Sequence, residues 1–96
     1  MRKMKWWQNL QRKRIYNSLE AVQHEQDTGK KISALYKMPH VNHVYAFEAS
    51  PMLQKQCYVT TTGGVRFWQT GDTLNDAIDN GALAAATRAL TLEGII

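Results

Sequence analysis

Hydrophobic positions in the first third of the chain recur at helical spacing. On a 3.6-residue wheel centred on Ile15, Leu19 lies at about +40°, and Val22 and Met4 at about −20°. Residues 5–26 contain neither Pro nor Gly and are rich in Gln, Lys, Arg, Leu, Glu and Ala, so they predict a helix whose core face is Ile15, Leu19 and Val22. The same stretch has a second apolar face, with Trp7 at about −80°, Leu10 at about −140° and Trp6 at about 180°. A single helix packed on one core does not use both faces. Either the helix breaks near Asn9, or the tryptophans meet something else. Asp27-Thr28-Gly29 reads as a stop with Gly29 just past the helix end, and residues 31–38 predict a short second helix closed by Pro39.

The period then changes from 3.6 to 2. Residues 41–48 place Val41, His43, Tyr45 and Phe47 on one side, and Asn42, Val44, Ala46 and Glu48 on the other, which is strand alternation. Ala49-Ser50-Pro51 punctuates a turn, residues 54–61 are rich in strand formers, and Thr62-Gly63-Gly64 signals a hairpin into Val65–Gln69. Thr73 with Asp76 three residues on marks the start of a last helix, residues 73–92, with Asp72 as the other candidate cap. Leu74, Ile78, Ala82, Ala85 and Ala89 line one face of it, with Leu83, Ala86 and Leu90 beside them, and Asn80-Gly81 is a point where it could kink.

The expected fold is α+β: a helix, a three-stranded antiparallel meander over residues 41–69 and a helix, with the helices on one face of the sheet. Residues 31–92 resemble the α-β-β-β-α arrangement of double-stranded-RNA-binding domains. The resemblance rests on the Tyr45-x-Phe47-Glu48 strand, the Ser50-Pro51 turn, the Gly63–Gly64 hairpin and the alanine-rich Ala84–Leu90. It implies that topology and, in that family, RNA contacts by lysines at the start of the last helix. Here Thr73, Leu74, Asn75 and Asp76 stand there, and residues 72–92 hold no Lys, so the resemblance carries topology rather than RNA contact.

A chain of 96 residues is expected to form one domain, 1–96, comprising a basic N-terminal helical segment 1–29, the meander and the C-terminal helix. With a modest core, large residues of residues 41–68 and 74–96, aromatics included, are expected to carry much of the burial. Cys57 is the sole cysteine, which excludes an intrachain disulfide and a CxxC couple. The basic start lacks the apolar run of a signal peptide, and no apolar run is long enough for a transmembrane helix, so the expectation is a cytoplasmic protein.

Charge alters the picture most. Arg2, Lys3, Lys5, Arg12, Lys13 and Arg14 give residues 1–14 six basic groups and no acid, while residues 15–96 hold six basic and eight acidic groups. That asymmetry points to a polyanion or an acidic surface as partner. Elsewhere the chemistry is thin. His40 and His43 would fall on opposite strand faces without a nearby third ligand, so no metal is expected; His24 and His40 read as solvated and His43 as partly buried. Cys57 reads as a core thiol, and Asp72, Asp76 and Asp79 as complements to a helix dipole. The Thr60–Gly64 loop precedes a strand and lacks the Lys-Ser/Thr of a phosphate loop, so it reads as a turn. No enzyme activity and no cofactor are expected.

The expected function is therefore a small non-catalytic binding or regulatory protein that engages nucleic acid or a nucleoprotein complex through its basic helix. Lys3, Lys5, Arg12, Lys13 and Arg14 would supply charge, and Trp6 and Trp7 contact area. The alternative is an inhibitor or adaptor acting only by protein–protein binding or by homo-oligomer formation, with the tryptophans as anchors. Membrane-surface attachment, or tryptophans docked on the protein's own domain, are the remaining readings of the same segment.

Overall fold

The computed structural model describes residues 3–48 and 54–96. The element order is α1 (Trp6–His24), α2 (Thr28–Tyr36), β1 (Val41–Phe47), β2 (Lys55–Thr61), β3 (Val65–Gly71) and α3 (Leu74–Leu92). The three strands form one antiparallel sheet in the order β1-β2-β3, as the alternation and the hairpin signal predict. Arg2 and the Ala49-Ser50-Pro51 turn lie outside the described residues.

One core joins the helices to the sheet, and it is aliphatic. Ile15, Leu19 and Val22 of α1, Leu35 of α2, Met38, Val44 of β1, Cys57 and Val59 of β2, and Ile78, Ala82, Ala85, Ala86, Ala89 and Leu90 of α3 are buried together. The expectation that aromatics would carry much of the burial fails, since among the described residues no aromatic is buried. The alanine face of α3 explains this. Small side chains let the helix approach β2 and β3 closely, leaving no space for a ring between the layers. Leu83, expected beside that face, is exposed.

α3 covers β2 and β3, α2 packs beside β1, and α1 packs on α2 and α3 rather than directly over the sheet. The helix pair α1/α2 is tied to α3 by a buried cation. Lys31, 2% exposed, donates from Nζ to the Val22 carbonyl at 2.6 Å and pairs with Asp79 Oδ1 at 2.7 Å. It thereby satisfies a carbonyl at the C-terminal end of α1, where the helix dipole favours a cation. Asp79 thus serves as an ion-pair partner, not only as a dipole complement.

Two local expectations need correction, at Gly29 and His40, and two open points are decided, at Asn9 and Gly81. Gly29 does not end α1; the helix stops at His24 with Glu25 as its C-cap, and Asp27 caps α2 by accepting from the Lys30 amide at 2.9 Å. α1 is unbroken through Asn9. α3 is unbroken through Gly81, which is there for proximity: a Cβ at Gly81 would lie 2.9 Å from Cys57 Sγ and 3.2 Å from Val59 Cγ2. Finally, His40 is not simply solvated. It sits at φ 68°, with Nε2 donating to Glu93 Oε1 at 2.8 Å and Nδ1 beside Thr62 Oγ1 at 3.2 Å, so it pins the start of β1 to the hairpin and to the end of α3. The hairpin itself turns through Gly63 and Gly64, both at positive φ, where a Cβ is disfavoured.

The Gly81 packing gives a coupled prediction. Gly81→Ala should be destabilising by about 1–2 kcal/mol although alanine favours helix, because the methyl overpacks against sulfur. In a Cys57→Ala background the same change should be neutral or stabilising. Urea unfolding of the four proteins in this cycle checks it, and equal effects in both backgrounds would refute the packing argument.

Candidate functional site

α1 is built so that its first turns are held while its outer face stays open. Gln8 is buried within this basic segment. Its Oε1 accepts from the Lys5 amide at 2.9 Å, and its Nε2 donates to the carbonyls of Glu93 and Gly94 at 3.4 and 3.3 Å. Each bond satisfies a backbone group that a helix terminus leaves unpaired. The start of α1 and the end of α3 are thus joined by one side chain, and the turn bearing the tryptophans is anchored.

On that anchored turn Trp6 is 77% and Trp7 39% exposed, while Ile15, Leu19 and Val22 are buried, as the wheel predicts. Lys5 Nζ lies 6.0 Å from the Trp7 ring centre, at the limit of a cation–π interaction. Leu10 and Tyr16 are also exposed. Leu10, Lys13 and Asn17 form a ridge at helical spacing with a shallow hollow on each side. Trp6, Asn9, Arg12 and Tyr16 border one hollow, and Arg14 and Ser18 the other.

All seven residues predicted as the binding set, Lys3, Lys5, Trp6, Trp7, Arg12, Lys13 and Arg14, are exposed. Arg12, Lys13 and Arg14 straddle the ridge, with Lys13 at its crest. Lys3 and Lys5 stand at the N-terminal, electropositive end of α1, whose first turn has no acid. Cations at that end repel the helix dipole, at a cost of about 0.3–1 kcal/mol each. The segment's charge is therefore not arranged to stabilise its own helix. Glu93, at the α3 terminus to which Gln8 is bonded, is already engaged by His40.

The other candidate chemistry separates. Cys57 is fully buried, and burial pushes its thiol up to about 11, so it is protonated at neutral pH and carries no nucleophile's charge. His43 is exposed, not partly buried, and accompanies Tyr36 in an edge-on arrangement. Among the described residues no group of three or more His, Cys, Asp or Glu side chains converges as a metal site. No helix among them is long and apolar enough to cross a membrane.

Sequence reasoning missed one surface. Val44 and Ala46 turn inward, so His43, Tyr45 and Phe47 of β1 face away from the helices, together with Tyr58 of β2 and Trp68 of β3. The alternation already grouped the β1 residues. The signal that could have found the surface is that their small partners Val44 and Ala46 match the alanine face of the last helix, which makes the aromatic side the outer one. No known protein family, curated protein or solved structure matches this chain.

Proposed function

We propose that this protein is a non-catalytic nucleic-acid-binding protein whose contact surface is the N-terminal half of α1. The observation behind this reading is an anchored helix end that exposes Lys3, Lys5, Arg12, Lys13 and Arg14 around Trp6, with no acid in residues 3–19. Phosphate contacts from Lys and Arg supply affinity, and an exposed indole supplies a stacking or wedge contact. The resemblance of residues 31–92 to double-stranded-RNA-binding domains does not move the binding surface to α3. The sole basic residue of that helix, Arg88, reaches the hairpin, donating to the Thr62 carbonyl at 3.4 Å.

Replacing Arg12, Lys13 and Arg14 together by Gln is expected to weaken nucleic-acid binding and to lower the slope of log affinity against log salt by about 0.7–0.9 for each phosphate no longer neutralised. The fold should persist, because exposed charges on a helix contribute little net stability. The shallow apolar hollow beside Trp6 and Leu10 fits the alternative, a protein partner anchored by the indole. Binding of a purified protein that Trp6→Ala abolishes without any salt dependence would favour that alternative, as would unchanged nucleic-acid affinity in the folded triple variant.

A further inference from the structure

The outer face of the sheet is a second surface, on the side away from the helices. Tyr45, Tyr58 and Trp68 are direct cross-strand partners, one on each strand. Phe47 and Tyr58 are parallel within 3° at 6.0 Å between ring centres, and Tyr58 and Trp68 within 7° at 5.9 Å. The indole orientation is set by Trp68 Nε1 donating to Gln56 Oε1 at 3.1 Å. Yet Tyr45 and Trp68 remain 57% and 58% exposed. Phe47, Tyr58 and Trp68 are thus aligned, and Tyr45 packs on Phe47 at 5.2 Å with a tilt of 32°. Four packed rings on an open sheet, kept from the core, form an ordered apolar platform with little side-chain entropy left to lose on binding.

Charge and shape select the occupant. Among the outward side chains of the three strands are Arg66 and His43 but no carboxylate. Arg66 Cζ lies 6.0 Å from the Tyr58 ring, and no ion pair engages it among the described residues. Arg66, His43, Thr60, Tyr45 and Tyr58 line a hollow of about 280 Å³, near the lower end of ligand-sized pockets (about 300 Å³) and sized for one planar ring system. A second copy laid face to face would bring two Arg66 guanidiniums to an interface without a carboxylate on either face. A neutral sugar would leave Arg66 without a counter-charge. Single-stranded nucleic acid offers both a π-face for each ring and a phosphate for the guanidinium.

We infer that this sheet face is a stacking platform for unpaired nucleobases of a single strand, a site distinct from the basic half of α1. Tyr45, Tyr58 and Trp68 carry the bases, and Arg66 takes the phosphate between them. The inference stands independently of the α1 reading.

Fluorescence anisotropy with a labelled oligothymidylate of about eight nucleotides, within the length range of stacking sites, tests it on the full chain at low salt. Trp68→Ala and Tyr45→Ala should each weaken binding about fivefold to a hundredfold, the loss typical of one stacked base, with the salt slope unchanged. Trp68→Phe should retain most of the affinity. An abasic strand of equal length should bind wild type and Trp68→Ala alike. The triple α1 variant, by contrast, should lower the salt slope and leave the Trp68→Ala ratio intact, so either site can fail without the other. Circular dichroism verifies that the exposed-residue variants are folded. Wild-type affinity in folded Trp68→Ala and Tyr45→Ala, no binding of the oligothymidylate at all, or a dimer that Trp68→Ala dissolves, would each overturn the inference.

Discussion

Asp79→Ala should lower the unfolding free energy by about 3 kcal/mol, more than removal of its partner. Lys31 is almost wholly enclosed, and without Asp79 its ammonium keeps only the Val22 carbonyl at 2.6 Å and a longer bond to the Gln23 carbonyl at 3.4 Å. An uncompensated buried charge costs about 3–5 kcal/mol, and the 32% exposure of the Asp79 side chain places this case at the lower end. Lys31→Met replaces the cation by an apolar chain of similar volume, while Asp79 regains water. Its expected cost is about 1–2 kcal/mol, the loss of the hydrogen bonds to the Val22 and Gln23 carbonyls, the first of which still accepts from the Glu25 amide at 3.3 Å. Asp79→Ala made on top of Lys31→Met should then cost well under about 1 kcal/mol, since the charge it would orphan is gone. Urea unfolding of the four proteins measures this. Equal losses for the two single substitutions would contradict the account of Lys31 as the tie between α1, α2 and α3.

The second large effect is expected at Gly71, where β3 meets the start of α3. A Cβ there would collide with the Ala77 amide nitrogen and lie 2.7 Å from the Asp76 carbonyl carbon. These are backbone atoms of the first turn, and no rotamer change relieves them. The turn is also fixed by its cap: Thr73 Oγ1 accepts from the Asp76 amide at 3.0 Å, and Asp76 Oδ2 accepts from the Thr73 amide at 3.3 Å. Gly71→Ala must displace α3 from the sheet or break that cap, at an expected cost of about 3 kcal/mol. Gly29→Ala provides the contrast. It lies inside α2, and its Cβ would meet only Asp27 Oδ1 at 3.4 Å, so helix propensity should win by about 0.5–1 kcal/mol. Thermal unfolding should move in opposite directions for the two variants. A Gly71→Ala protein as stable as wild type would refute the close approach.

The elements that follow from local rules were legible in the sequence. Thr73 and Asp76 announce the last helix by a reciprocal cap, Gly63 and Gly64 announce the hairpin, and Ile15, Leu19 and Val22 share a buried face. What was not legible depends on how the elements meet. Gly29 after Asp27 and Thr28 fits a helix end as well as a helix start, and only the Asp27 cap on Lys30 decides it. Gly81 in a helix reads as a weak point until Cys57 is seen beneath it. Lys31 carries no sequence mark of burial, because its partners Asp79 and the Val22 carbonyl come from two other helices. For the candidate sites, the charge and exposure of the α1 face were readable, since both follow from one helix wheel. The aromatic sheet face was not, because which side of an alternating strand turns inward is set by the helix that packs on it.

The direct test of the proposed function is the salt dependence of nucleic-acid affinity for the wild-type protein and the Arg12/Lys13/Arg14→Gln variant. Binding by the basic half of α1 predicts that wild-type affinity falls steeply and linearly on a log–log plot. The variant should bind more weakly, with a slope lower by about 0.7–0.9 for each phosphate it leaves unneutralised. Coincident lines for the two folded proteins would contradict it.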